Sequence, residues 1–271
     1  MKLTINGGAA DITLENEKTV GELLAALEKF LEGSGHIMSG FSVDGVPADT
    51  AGLEALFAKE LKTVGSVNVI TSSFSALLIQ ALDQSIETLR EYENSGSEER
   101  LALGEQWLSQ SAASFLEGRA YGLYALVQSC LGGEVGPAQC AALLGERREE
   151  LFDPPACLDN MAARVEETAR RLEDLPLDLQ TGKDSRARET IQLFSMIAEK
   201  LLRIISYMAD GEEKTVDGMP VKAFLSDFSA AVRELTEAYE NRDAVLAGDL
   251  AEYELAPRVR SLYSAFSGGG R

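Results

Sequence analysis

Residues 188–209, RETIQLFSMIAEKLLRIISYMA, constrain this chain more than any other stretch. Ile191, Phe194, Ala198, Leu201, Ile205 and Met208 recur at alternating steps of three and four, the seam of an α-helix. Ile197, Leu202 and Ile204 widen the seam, and Leu193, Met196 and Tyr207 put apolar groups on the far side. Only Gln192, Glu199 and Ser206, flanked by Lys200 and Arg203, make a wet strip. A helix apolar around most of its circumference is normally enclosed by other elements. Charges in its middle argue against a bilayer span. The expectation is a central rod in a helical bundle.

The remaining helical signals agree. From Phe74 onward Ala, Leu, Glu and Arg dominate and strand formers thin out. Leu78, Ala81, Leu82, Ser85, Leu89 and Tyr92 form one seam, which ends at Asn94-Ser95-Gly96. A second helix is expected over 98–117 with Trp107 and Phe115, a third over 120–131, and a fourth from Pro137 to Phe152, proline suiting a first turn. Asp153-Pro154-Pro155 then breaks the chain. A fifth helix is expected over 158–172, with 175–183 as the loop before the rod. After the stop at Asp210-Gly211, residues 215–220 suggest a small hairpin. Phe224, Phe228, Ala231, Leu235 and Ala238 give another stripe, and the last helix begins near Val245 and should kink or restart at Pro257. Eight helices with short connections fit an antiparallel bundle. SIETLREYENSG followed by QWLSQSAASFLEG parallels LLRIISYMADG followed by AFLSDFSAAVREL; either a duplicated helical hairpin or the ordinary grammar of bundles would produce this.

The first seventy residues obey a different period. Met1, Leu3 and Ile5 alternate with Lys2 and Thr4, as in a half-buried strand. Asn6-Gly7-Gly8 can turn the chain, and residues 11–14 offer a return strand through Ile12 and Leu14. Thr19-Val20-Gly21-Glu22 has the form of a capping box. Val20, Leu23, Leu24, Leu27 and Leu31 make the stripe of the helix behind it, and Gly33 can stop that helix. Residues 37–43 read as a strand, Asp44-Gly45 as a tight turn, 53–61 as a short helix or turn, and 64–70 as a closing strand. The fold class expected is α+β: an N-terminal domain over 1–73, a larger all-α antiparallel bundle over 74–267, and a tail over 268–271.

The residues MKLTINGG, TVGELLAAL, VDGV and VGSVNVIT resemble the small sulfur-carrier branch of the β-grasp, or ubiquitin-like, fold. That resemblance implies a curled sheet crossed by one helix. Carriers of that branch act through a C-terminal Gly-Gly, whereas here the last strand runs on through Thr71-Ser72-Ser73 into Phe74. Gly268-Gly269-Gly270 lies far away and precedes Arg271. The implied use is therefore a docking sheet with no reactive tail.

The net charge of −19 repels nucleic-acid backbones and anionic membranes, so neither is expected as a partner. Solubility alone accounts for such a charge; a basic protein partner, or protection of an aggregation-prone client, would also use it. Three cysteines, Cys130, Cys140 and Cys157, lack CxxC spacing and read as reduced, buried thiols. Met1-Lys2-Leu3 opens no apolar signal core, and no run reaches the roughly 18 apolar residues of a membrane anchor, so cytoplasm is the expected location.

Candidate chemistry is sparse. His36 is the sole histidine, so usual zinc and di-iron sites have no anchor. No phosphate-binding or dinucleotide glycine fingerprint follows a strand. The expectation is no enzyme, no cofactor and no metal. The most distinctive string is Asp249-Leu250-Ala251-Glu252-Tyr253-Glu254-Leu255-Ala256-Pro257. It is similar to a D-L-x-E-Y-E-L-x-P signature in helical bacterial proteins of unassigned activity, which implies a shared piece of fold. Asp249 and Glu252 stand one helical turn apart and could hold a cation or do acid–base work. The alternative is structural: one of them pairs with an arginine of a neighbouring helix while Tyr253 caps the core.

The function expected is a cytoplasmic protein-binding adaptor or scaffold using the sheet or the groove between that domain and the bundle, with Lys2, Thr4, Phe41 and Val43 as contacts. Phe41 and Val43 would drop out if they face the helix. An export-type chaperone is the alternative, holding a client helix in an apolar groove near Phe224, Phe228 and the last helix. A third is an enzyme built on Asp249 and Glu252.

Overall fold

The computed structural model describes residues 1–10, 17–31, 34–49, 52–208 and 214–268. The fold is α+β, a mixed sheet followed by a larger helical part. The chain divides into two compact units, Met1–Arg148 and Glu149–Arg271.

The first unit opens with β1 (Lys2–Ile5), β2 (Gly8–Ala9), α1 (Val20–Leu31), β3 (His36–Val43), β4 (Val46–Pro47), α2 (Leu53–Phe57), a 3₁₀ turn at Leu61–Thr63, and β5 (Ser66–Ser73). The five strands lie in the order β2-β1-β5-β3-β4. β1 runs parallel to β5, and the other pairings are antiparallel. Two hairpins use the same local chemistry. Asn6 and Gly7 have φ of 51° and 80°, and Asp44 and Gly45 have 52° and 81°, the positive-φ pairs that a two-residue hairpin turn demands. The return strand expected over 11–14 lies outside the described residues, as do Gly33, Asp210-Gly211 and the tail beyond Gly268; Gly8–Ala9 pairs antiparallel with β1 across the turn.

α1 starts at the capping box read from sequence: Glu22 N–H donates to Thr19 Oγ1 at 3.2 Å, and Thr19 N–H donates to Glu22 Oε2 at 3.3 Å. Its stripe Val20, Leu23, Leu24 and Leu27 packs on Val43, Val67 and Val69 of the sheet, with Leu61 and Val64 closing the edge. Asp44 ties the β3–β4 turn to the start of β5. Its Oδ1 accepts from Gly65 N–H and Ser66 N–H, both at 2.8 Å, and these bonds, with Lys59 beside it, hold the carboxyl below its usual range.

β5 passes directly into α3 (Phe74–Asn94), whose cap is Ser73 accepting from Ala76 N–H at 3.1 Å. α4 (Ser97–Leu108), α5 (Ser111–Arg119), α6 (Tyr121–Leu131) and α7 (Pro137–Phe152) follow. The single helix expected over 98–117 is thus two, broken at Ser109-Gln110. Trp107 and Leu116 are both fully buried, and the break turns each inward. The Trp107 indole N–H donates to Ser85 Oγ at 3.1 Å, and the Ser85 hydroxyl donates in turn to the Ala81 carbonyl at 2.8 Å. A buried indole needs such a partner. Cys130 and Cys140 are buried, and their thiols are pushed up by desolvation, Cys140 to about 12.

The second unit contains the end of α7, then α8 (Pro154–Asp159), α9 (Ala162–Gln180), α10 (Asp184–Met208), β6 (Thr215–Val216), β7 (Met219–Pro220), α11 (Val221–Glu240), α12 (Ala244–Asp249), a π-helical turn (Leu250–Leu255) and α13 (Ala256–Phe266). β6 and β7 pair across Asp217 and Gly218, whose φ values of 51° and 78° repeat the turn chemistry of the sheet. The hub differs from the expected one. Within this unit α9 packs against α10, α12, the π turn and α13. α10 buries one face, from Ala187 through Phe194, Ile197, Leu201 and Ile204, and leaves Met196 exposed.

The expected loop over 175–183 is helical as far as Gln180, with Pro176 inside α9. Tertiary contacts override the lost amide. Leu175 is buried, and Asp178, also buried, accepts the charge of Lys183 at 3.5 Å and of Arg186 at 3.0 Å. A second buried carboxylate, Glu150, takes both arms of Arg203 at 2.8 and 2.9 Å. The strings that suggested a duplication differ in structure: one is broken between α4 and α5, the other lies in the unbroken α11.

Candidate functional site

The sheet has one covered face and one open face, and its register decides which side chains stand on each. In β5, Val67 and Val69 point at α1, so Asn68, Ile70 and Ser72 point away. Parallel pairing sets Lys2 opposite Ser66 and Thr4 opposite Asn68 on that open face. In β3 an irregularity between Met38 and Gly40 inserts one extra residue, Ser39. Met38 and Phe41 therefore both face α1 although three positions apart.

This register corrects two expected contacts. Val43 pairs with Val67 and is buried in the helix-side core, and Phe41 packs on that core and stacks on Phe57 with ring centroids 6.0 Å apart. Neither stands on the open face. Lys2 is exposed there and Thr4 half-buried. Thr4 Oγ1 donates to Asn68 Oδ1 at 2.7 Å, and that oxygen also accepts from Gly7 N–H at 3.2 Å. Ser39 Oγ reaches the Ile70 carbonyl at 3.3 Å and Ser72 Oγ at 3.1 Å. Thr4 with Asn68, and Ser39 with Ser72, thus satisfy one another on this face. The large apolar residue there is Ile70, 48% exposed on the central strand, its Cδ1 leaning over Gly40, where a Cβ would meet it at 3.9 Å. The signal was present in V-N-V-I: two inward valines put the isoleucine outside.

Beside the sheet, within the same unit, a cavity of about 270 Å³ is lined by Leu31, His36, Ile37, Met38, Phe74 and the Glu28–Arg119 ion pair, which is 3.3 Å long. His36 is exposed and its Nδ1 sits 2.9 Å from the Ser34 carbonyl.

The candidates in the second unit separate. Phe224 and Phe228 belong to the core, Phe228 meeting Phe194 edge to face at 6.2 Å, so they line no surface groove. They recur at the period that buries one helix face, and α11 uses that face for its own unit. Asp249 is exposed, Glu252 half-buried and Tyr253 66% exposed, so the tyrosine does not cap the core. Neither carboxylate is ion-paired among the described residues; the acid that pairs is Glu254, with Arg258. The hydrogen bond from Tyr253 to Glu252 raises the phenol above its usual range. Among the described residues no three His, Cys, Asp or Glu side chains converge as metal ligands. No described helix is long and apolar enough to cross a membrane.

Two family models match the chain in separate stretches. One, described as the TP0873 N-terminal domain, matches residues 1–73, and the other, a domain of unknown function (DUF8042), matches residues 158–265. A protein of Treponema pallidum (strain Nichols), described as uncharacterized, is 24% identical over 265 residues, which cover 97% of this chain and 94% of the relative. The similarity therefore runs through the sheet and the helices alike. No solved structure matches the chain.

Proposed function

We propose that this protein is a non-catalytic, cytoplasmic protein-binding adaptor whose sheet-bearing head is a β-grasp domain docking through its open face. Support for the β-grasp reading comes from the strand order, the parallel β1–β5 pair and the single long helix across one face. With β5 running straight into α3, the head offers a surface and no reactive tail. The observation that carries the docking reading is Ile70: a large apolar side chain, half exposed, on the central strand between the pairs Thr4–Asn68 and Ser39–Ser72, which are already bonded to each other. A partner gains apolar burial there while breaking few existing bonds.

The test is affinity capture from native lysate with the full chain, comparing wild type, Ile70→Glu and Leu101→Glu. Leu101 is 72% exposed on α4 and serves as the surface control. Proteins retained by wild type and Leu101→Glu but lost with Ile70→Glu are the expected result. Equal retention by all three, or none by any, would contradict the reading.

A further inference from the structure

The helix running from Ala244 to Phe266 carries the string that stood out in the sequence, and its shape explains part of it. Pro257 has no amide hydrogen to give and sits in the first turn of α13; the chain ahead of it widens into the π turn Leu250–Leu255. The wider turn lets Leu255 and Ala256, adjacent in sequence, both bury fully, and Val259, Leu262 and Phe266 follow them into the core. Gly248 completes the inner face. A Cβ there would lie 3.0 Å from Pro176 Cβ, so this helix sits close against α9.

The inner side is fully used and the outer side is not. Val245 (68% exposed), Asp249 and Tyr253 (66% exposed) recur every four residues along the outside, with Leu246 and Glu252 beside them. The segment spans roughly 12 Å at the usual rise of a helix. Two apolar or aromatic side chains thus stand beside carboxylates that have no cation partner among the described residues. An exposed tyrosine flanked by unpaired charge is the composition of an interface anchor with its rim.

We infer that the outer face of the π turn is a second docking surface, in which Tyr253 inserts into an apolar cleft, rimmed by lysine or arginine, on a basic protein partner. Charge selects this occupant. Asp249 and Glu252 complement a cationic rim, whereas a second copy of a chain of net charge −19, or a nucleic acid, meets repulsion. Tyr253 and Val245 project exposed from a helix surface, so the chain supplies the knob and the partner the pocket. The residues differ from those of the sheet reading, and neither surface depends on the other.

The test places the photo-crosslinking amino acid p-benzoylphenylalanine at position 253 of the full chain, irradiates in native lysate and sequences the adducts. The expected adduct joins position 253 to an apolar site flanked by lysine or arginine in another protein. Its yield should fall about fivefold or more as salt rises from about 0.05 M to about 1 M, where screening shortens to a few ångströms. Asp249→Asn with Glu252→Gln should lower it similarly while thermal unfolding stays unchanged. An adduct to a second copy, an adduct insensitive to salt and to the two neutral substitutions, or no adduct would overturn the inference. The Ile70 comparison reports on the sheet separately.

Discussion

The sheet of the first unit and the helices of the second are held by different means. In the sheet, order comes from short-range chemistry at the surface: positive-φ turns, a capping box, and the exposed Asp44 gathering two amides at the start of β5. In the helical unit, order comes from depth: Glu150 and Asp178 are carboxylates buried among apolar side chains and matched by arginine or lysine. The lesson is that surface bonding leaves a region tolerant of single changes, whereas a buried charge makes its whole unit depend on the few cations matched to it.

Breaking the buried pair should have the largest effect. Arg203→Ala takes the two-armed partner from buried Glu150, leaving Lys200 at 3.7 Å, and should destabilise the second unit by about 3–5 kcal/mol, read from urea unfolding. A loss near that of a surface substitution would erase the contrast. Next comes Gly248→Val, which pushes a branched side chain against Pro176 and should cost about 1–3 kcal/mol by the same measurement.

The sheet should answer more mildly and with a pH signature. Asp44 has a folded pKa below its unfolded value, so its charge contributes stability above the ordinary carboxylate pKa of about 4 and loses it as pH falls through the folded value. Asp44→Asn should lower the melting temperature at neutral pH, and the gap to wild type should close in acid. A gap that widens in acid would contradict the sign. Smallest of all, Ile70→Glu and Tyr253→Ala should each shift stability by less than about 0.5 kcal/mol, because both side chains already face water.

The same division explains what could be read in advance. Turn and cap signals are local, so Asn6-Gly7, Asp44-Gly45, Asp217-Gly218 and the Thr19–Glu22 box were legible and stand where the residues put them. The stripe of α10 was legible as a helix but not as a single-faced one, since periodicity does not report which neighbour covers a residue. Pro176 shows the limit most clearly. It reads as a breaker, yet it lies inside α9, because packing against Gly248 and the core decides, whereas Pro257 stands at the restart expected of it, in the first turn of α13. On the candidate surface, the inserted Ser39 moved Phe41 inward, and a bulge carries no reliable mark in sequence. Ile70 was legible from alternation alone.

The central claim, that the open face of the sheet is where a partner sits, is tested most directly by hydrogen exchange on the intact chain, alone and loaded with a partner recovered by capture. Slowed exchange in Lys2–Ile5 and Ser66–Ser73 on loading is the predicted result. Unchanged exchange in both strands, with protection confined to other segments, would contradict it.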